Sequence, residues 1–577
     1  MTFAKLVRYF ERIQATSKRL EMAVILGELF GALDAPQEIA LVVYLCQGQL
    51  RPAFENPEFG MSEKLLQKAL VSATGSTEQD VAAAFRASGD YGSVVEQLGR
   101  PQRGTAAVQT VYARLADIAA EFGGGSVVRK VTLLADLLGC VSPGEAKYIV
   151  RIVLGRLRLG VGDPTVLDGL ANAFGVDKTD RIYLDHAYNR CCDLGLVAQT
   201  LAIHGLARIK EFEVVVGCPI RPALAARLSS PEEIMEKIGP CAVEEKYDGF
   251  RAQVHKDGST VKIFSRNLEN ISAMFPEIVA GTLRQVTAQR AIYEGEAMAY
   301  DARTRRYLPF QITVQRKRKH DIAAMQREVP LRIFVFDVLY AEEDLTGLSF
   351  RERRRRMNTL FKTSADGVLQ ISPVREVETA KELNEIFEEA VASGREGIVA
   401  KRWDARYQAG GRNFNWIKLK RSYAALLSDT IDAVIIGYYH GKGIRASLGM
   451  GSLLVAVYDH REERFKTVAK VGSGWSDEEL IRLKEMLGKI RLPASPPGVD
   501  SLLEPDEWVE PKYVIEIQAD EITKSPVHTC GKSSPQEPGF ALRFPRSVHF
   551  VRRDKSPRDA TTVEEIIHLY SLQGRRG

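Results

Sequence analysis

The stretch Glu244-Glu245-Lys246-Tyr247-Asp248-Gly249-Phe250-Arg251 sets a lysine between two acids and a turn-forming Asp-Gly pair. A lysine amine kept partly neutral by nearby positive charge or by loss of solvent is a nucleophile, and attack at phosphorus leaves a phosphoramidate on Nζ. Lys-x-Asp-Gly alone is a weak signal: at average residue frequencies it arises in about one chain in seven of this length. Its ordinary meaning is a β-turn beside a solvated lysine. Basic residues are also concentrated, in Arg303 to Arg306, Arg316 to Lys319, Arg351 to Arg356 and RRDKSPRD from Arg552, within a net charge of only +5. Such runs suit contact with a phosphate backbone, and each reads equally well as a solvated helix face or loop. The seven cysteines, with Cys191 and Cys192 adjacent, include no C-x-x-C pair of the zinc-binding kind, so they read as reduced, mostly buried thiols.

The elements that must position these residues fall into three regions. At 577 residues the chain exceeds one ordinary core, and 45% hydrophobic with 27% charged residues is the composition of packed domains. No apolar run approaches the roughly 18 residues of a membrane span. Lys5, Arg8, Glu11 and Arg12 interrupt the apolar residues of the N-terminus, unlike a signal peptide, so membrane insertion and secretion are disfavoured and the cytoplasm is expected. Phe3, Leu6, Val7, Phe10 and Ile13 fall on one helical face, and similar stripes recur in SEKLLQKAL, TVYARLADIAAEF and VRKVTLLADLL. This helical region ends near residue 215, where a β-branched run meets two prolines. From there to about 420, short β-type runs such as RIFVFDVLYA and GIVAKRW alternate with helices, which predicts an α+β domain. The tail has several β-rich stretches and one helical pattern, SDEELIRLKEML, as a small Greek-key barrel of the OB type would.

Lys246 has company, in order: SRN at Ser265 to Asn267, EGEAMAYD at Glu294 to Asp301, FVFDVLY at Phe334 to Tyr340, EGIVAKR at Glu396 to Arg402 and WIKLK at Trp416 to Lys420. With EEKYDGFR this series resembles the motifs of the covalent nucleotidyltransferases, which comprise DNA ligases, RNA ligases and capping enzymes. The resemblance is greatest to ATP-dependent DNA ligases of the archaeal type, related to the eukaryotic replicative ligases, and it covers essentially the whole chain. KYIVRIVLGRLRLGVGDPTVLDGLA resembles that family's helical DNA-binding domain, PFQITVQRKRK its central region, and KVGSG, SPVHTCG, ALRFPR and DKSPRDATT its OB domain. Capping enzymes and small RNA ligases would lack the first 200 residues, and NAD-dependent ligases would bring zinc-binding cysteines.

The resemblance implies roles. Lys246 would attack the α-phosphate of ATP, AMP would pass to a 5′-phosphate at a nick, and a 3′-hydroxyl would displace it. Glu244 would seat the adenine and Phe336 would stack on it. Asp248 and Arg251 would serve ribose or hydroxyl contacts and site organisation, and Arg266 phosphate or ribose recognition. Lys418 and Lys420, at i and i+2, could face one side of a strand and hold the α-phosphate, with Arg412 a further nucleotide contact. Glu296 and Glu396 would be carboxylate ligands of Mg²⁺, whose preference is for hard oxygens. Arg552, Asp554 and Lys555 would form a lid motif meeting the pyrophosphate, carried by a mobile OB domain pivoting near 421–429.

Two departures stand out. Glu294 replaces the Asp usual in the family's D-G-E, which leaves the role of position 294 open. The segment between FPR and R-x-D-K is one residue longer than usual, which a β-bulge could absorb and which leaves the register of Arg552 and Arg553 open.

The expected architecture is thus multidomain: an all-α DNA-binding domain at 1–215, an α+β adenylation (nucleotidyltransferase) domain at 216–420 and a β-barrel OB-fold domain at 421–577. The expected function is ATP-dependent, Mg²⁺-assisted sealing of nicks in double-stranded DNA by a cytoplasmic, nucleoid-associated monomer, in replication, repair or recombination. The alternatives are an RNA or RNA/DNA-hybrid ligase and a non-catalytic nucleic-acid-binding protein on a ligase scaffold. The latter predicts loss of Lys246, Glu296 or Lys418, all of which are present. Docking peptides for a sliding clamp are too degenerate to be read from the chain.

Overall fold

The computed structural model describes residues 1–574 except 34, 101–105, 302, 305, 309, 317–320, 363, 365, 421–429, 442–448, 535, 549, 553 and 554. The chain forms two compact units that alternate along the sequence. One comprises Met1–Ala226, Tyr247–Pro373 and Lys401–Trp416, the other Arg227–Lys246, Val374–Ala400 and Ile417–Gly577. The expected pivot, 421–429, lies outside the described residues.

In the first unit the N-terminal region is helical, as its periodicity requires. Helix Phe3–Gln14 starts where Thr2 Oγ1 accepts the Lys5 N–H, and it buries the whole stripe of Phe3, Leu6, Val7, Phe10 and Ile13. Asp90 caps Tyr91–Leu98 by accepting from the Gly92 and Ser93 N–H groups, and its Oδ2 lies 2.7 Å from Arg151 Nη2 and 3.0 Å from Arg151 Nε. Arg151 is therefore buried in an ion pair, whereas Arg156 and Arg158 beside it are exposed.

The rest of this unit is built on an antiparallel group of strands, Thr260–Ser265, Phe250–Asp257, Arg290–Asp301 and Leu331–Ala341 in spatial order, with Leu369–Ile371 added in parallel. Ala252, Val254, Ala291, Tyr293 and Ile333 point to one face, where they pack with Ile278, Met357 and Leu360. Period-two alternation sends Arg251, Gln253 and His255 to the other. The register sets Gln253 opposite Glu294 and Arg251 opposite Glu296.

The basic runs divide when their surroundings are known. Arg353 is fully buried and pairs with Asp337 through Nε at 2.8 Å and Nη2 at 2.9 Å, Arg316 is buried against Glu277, and Arg354 donates to the Ser372 carbonyl. Arg303, Arg306, Arg351, Arg355 and Arg356 are exposed, and 317–319 lie outside the described residues.

In the second unit Cys241–Lys246 runs antiparallel to Val374–Val377, with Glu244 opposite Val374. Beyond it come the part of Gly397–Arg402 up to Ala400 and then the part of Arg412–Lys420 from Ile417. The C-terminal region is a separate, largely antiparallel sheet. Ile431–Tyr439 lies between Ser452–Asp459 on one side and Glu507–Val509 and Val514–Gln518 on the other, and Arg464–Val471 follows Ser452–Asp459. Helix Asp477–Gly488, opened by a Ser476/Glu479 capping box, sets Leu480, Leu483 and Leu487 into the core with Ile435, Val455 and Ile515.

Candidate active site

In the second unit, strand Cys241–Lys246 ends at the expected nucleophile, and the neighbouring strand brings Glu396 to it. Lys246 Nζ lies 2.5 Å from Glu396 Oε2, the other Glu396 oxygen accepts from Lys420, and the Glu396 N–H donates to the Lys246 carbonyl at 3.1 Å. Burial opposes ionisation of Glu396, yet the Lys246 and Lys420 ammonium groups beside it hold its carboxyl below the usual range. Ile417 and Leu419 are buried while Lys418 and Lys420 are half-buried, so these two lysines share a strand face, as their spacing predicts. Gly397 is required here: its φ is +145°, and a Cβ on it would lie 2.1 Å from the Leu419 carbonyl oxygen. Glu244 is buried.

In the first unit, the polar face of the sheet carries the other expected residues. Arg251 Nη2 donates to Glu294 Oε2 at 2.7 Å and Nη1 to the Ala223 carbonyl at 2.7 Å. The guanidinium carbon stands 5.3 Å from the centre of the Phe336 ring and 5.7 Å from that of Trp416. Phe336 is half-buried. Glu296 is half-buried on the same face as Arg251, Asp248 is half-buried, and Arg266 is exposed just after strand Thr260–Ser265. Gly249 is needed for close approach, since a Cβ there would sit 2.3 Å from the Ala297 carbonyl oxygen.

Two residues of this region, Lys401 and Tyr407, were not singled out by sequence reasoning. Lys401 is buried, donates to the Phe336 carbonyl at 3.1 Å and stands 4.9, 4.6 and 4.5 Å from the ring centres of Phe336, Phe350 and Trp416. A cation among aromatic faces is attracted by their quadrupoles, which offsets part of its burial. Tyr407 and Glu294, both buried, share a hydrogen bond of 2.9 Å. The lysine of EGIVAK was the available signal for Lys401. Nothing local marked Tyr407.

Of the residues expected to form the lid, Arg552 and Lys555 lie in the C-terminal region of the second unit. Lys555 and Arg552 face Asp432 and Glu516 of the C-terminal sheet, and the Arg552 N–H donates to the Val514 carbonyl at 2.8 Å. Arg553 and Asp554 lie outside the described residues, as does the Arg412 side chain.

Among the described residues no group of three or more His, Cys, Asp or Glu side chains could hold a metal ion. Mg²⁺ commonly uses only one or two carboxylates, with waters and substrate phosphates completing its shell, so single acids such as Glu296 fit it.

Three family models match the chain in series: DNA ligase N terminus over residues 2–171, ATP dependent DNA ligase domain over 222–420 and ATP dependent DNA ligase C terminal region over 446–555. A probable DNA ligase of Dictyoglomus turgidum is 48% identical over 576 residues, covering 99% of this chain and 98% of its own. A DNA ligase of Aeropyrum pernix is 43% identical over 599 residues, covering 100% and 99%. Among solved structures, Pmar-Lig_PreS3 is similar in fold, with a TM-score of 0.53, 15% identity and coverage of 94% of this chain and 98% of that one. Three serial family models and full-length matches at this identity agree: the chain belongs to the ATP-dependent DNA ligase family.

Proposed function

We propose that this ligase seals nicks in duplex DNA through a lysyl-AMP on Lys246, and the observation that carries the reading is the Lys246–Glu396–Lys420 cluster. Attack of Lys246 Nζ on the α-phosphorus of ATP forms a P–N bond as the bond to pyrophosphate breaks. The amine must be neutral at that moment, and Glu396 Oε2, 2.5 Å away, is placed to orient it. A 5′-phosphate oxygen at the nick then displaces Nζ, and the 3′-hydroxyl displaces AMP. Each step is an in-line displacement, so catalysis consists of positioning and charge neutralisation. Lys418 and Lys420, on one strand face, suit the α-phosphate, Glu244 and Phe336 suit the adenine, and Arg251 the ribose. Arg266 and Arg412 are further nucleotide contacts. Glu296 and Glu396 would hold Mg²⁺, which supplies Lewis-acid neutralisation of phosphate charge.

The reading carries with it domains at 1–215, 216–420 and 421–577, with an OB-type barrel in the last. Its antiparallel strands, the register shift between Ile435 and Gly437 and the helix Asp477–Gly488 support that barrel, although a second helix, Val563–Gly574, follows where the sequence suggested only one. Exposed Arg156, Arg158, Arg351 and Arg355 support a DNA interface spread over more than one domain. No helix among the described residues is long and apolar enough to cross a membrane. A nucleoid-associated monomer in the cytoplasm is the form in which we propose the ligase acts.

Incubation with α-labelled ATP and Mg²⁺ tests the reading. Label should become covalent on the protein and move to a nicked duplex that is then sealed. Labelling without any sealing would leave a nucleotidyltransferase of another kind, and absence of labelling would overturn the proposal.

A further inference from the structure

Behind the Phe336 ring the first unit contains a closed circuit of hydrogen bonds. The Ala223 N–H donates to Tyr407 Oη at 2.9 Å, Tyr407 donates to Glu294 Oε2 at 2.9 Å, Arg251 Nη2 donates to the same oxygen at 2.7 Å, and Arg251 Nη1 returns to the Ala223 carbonyl at 2.7 Å. Glu294 is wholly buried. Its second oxygen accepts from Gln253 Nε2 at 3.2 Å.

The support continues one layer further back. Gln253 Oε1 accepts from the Ile220 N–H at 2.7 Å and from His255 Nε2 at 2.9 Å, and Gln253 Nε2 also donates to the Ile220 carbonyl at 3.0 Å. Because the Gly217 N–H donates to His255 Nδ1 at 3.0 Å, the imidazole proton must sit on Nε2, which fixes the tautomer. Every donor and acceptor that could let Glu294 turn is committed.

One donor is left over. Arg251 Nε is buried and has no hydrogen-bond partner among the described residues. A buried N–H without a partner is costly, so it marks a place where an acceptor from outside fits. The guanidinium lies 5.3 Å from the Phe336 ring centre. On the reading that a base stacks against Phe336, a guanidinium at this distance is within reach of its sugar.

We propose that Glu294 is a positioning residue for the nucleotide: through the circuit with Tyr407 and Ala223 it holds Arg251 so that Nε–H meets a ribose hydroxyl, which makes the enzyme select ATP over its deoxy analogues. This rests on the reading that Phe336 carries the adenine and Arg251 the ribose. It also gives position 294, where the family commonly has Asp, a function that requires an acid. Three donors converge on Glu294, and an amide there would offer one acceptor oxygen and turn its own NH₂ against the remaining donors.

The test compares the KM and maximal rate of self-adenylation for ATP, 2′-deoxyATP and 3′-deoxyATP. Wild type should favour ATP over at least one deoxy analogue by about tenfold, the value of one hydrogen bond to a charged group. Glu294→Gln should raise KM for ATP by about as much while leaving KM for that analogue within about twofold, so that discrimination collapses. Glu294→Asp, which keeps the charge, should restore much of it. A merely structural role would lower melting temperature and active fraction without changing the ratio.

The two ways of failing are distinct. If wild type treats all three nucleotides alike, the ribose reading of Arg251 is wrong. If wild type discriminates, Arg251→Ala abolishes the preference and Glu294→Gln retains it, the role of Glu294 is refuted. Should Glu294→Gln not fold, Tyr407→Phe removes one bond of the circuit and serves in its place, with a partial loss of discrimination expected and an unchanged ratio counting against the proposal.

Discussion

Lys555 Nζ lies 2.5 Å from Asp432 Oδ2, within the C-terminal region itself, and Arg552 Nη1 lies 3.5 Å from the other Asp432 oxygen and 3.4 Å from Glu516 Oε2. Asp432 and Glu516 are direct cross-strand partners. Two carboxylates facing each other in a sheet repel, so this pair is stable because the two bases stand over it. Bases that are to meet the β- and γ-phosphates of ATP must first exchange these partners.

Asp432→Asn should therefore ease the exchange and lower KM for ATP in self-adenylation by about threefold, the scale of a partly exposed ion pair. Steady-state adenylation at low ATP checks this, and a raised KM would show that Asp432 helps the bases instead of competing for them. Neutralising Arg552, Arg553 and Lys555 together should cripple self-adenylation and largely spare sealing of a nick that already carries 5′-adenylate, since pyrophosphate is absent from that step.

Lys246→Ala should abolish covalent labelling by ATP while nicked-duplex affinity stays within about threefold, because one cation among many contributes little to a polyelectrolyte interface. Glu396→Gln should slow adenylation, since the amide cannot pair with both Lys246 and Lys420 and the nucleophile loses its anchor. An unchanged rate of label uptake would remove Glu396 from the step.

The arginines of the helical region should separate cleanly. Arg151→Ala leaves the buried Asp90 with only the more distant Arg158, 4.0 Å away, and should cost about 3 kcal/mol of stability. Arg156→Ala and Arg158→Ala should leave the melting temperature nearly unchanged and reduce the salt dependence of DNA binding by about one ion each. Chemical denaturation and binding at two salt concentrations distinguish the classes.

Acid should weaken the fold through two rings. Burial lowers His255 from 6.5 to about 3 and His528 from 6.5 to about 4, so the unfolded chain takes up these protons first as pH falls. Their contribution is intact above about pH 6.5 and is lost below it, by up to about 1.4 kcal/mol per ring for each pH unit. Urea midpoints at pH 7, 6 and 5 should fall, and His255→Gln should flatten the decline even though it starts lower. An equally steep decline in the variant would assign the acid sensitivity to other groups.

Much of the site was legible because its signals are local. The order of the motifs located Lys246 and Glu396, the i, i+2 spacing put Lys418 and Lys420 on one strand face, and the stripe from Phe3 to Ile13 described a buried helix face. The capped helix Asp477–Gly488 likewise follows from SDEELIRLKEML. What could not be read is which distant partner a polar residue finds. Arg151, Arg316 and Arg353 sit in or beside basic segments that suggest DNA, yet Asp90, Glu277 and Asp337 claim them from 61, 39 and 16 residues away. Tyr407 has no motif of its own and matters because Glu294, 113 residues earlier, points at it.

That separation has a consequence for synthesis. A ribosome adding roughly 5–20 residues per second needs about 6–20 s to travel from Glu294 to Tyr407. Throughout that interval the nascent chain holds Ala223, Arg251 and Glu294 but lacks the hydroxyl that closes their circuit. The circuit is thus completed late in translation, and a polypeptide released before residue 407 carries Lys246 and Arg251 without the hydroxyl that closes it.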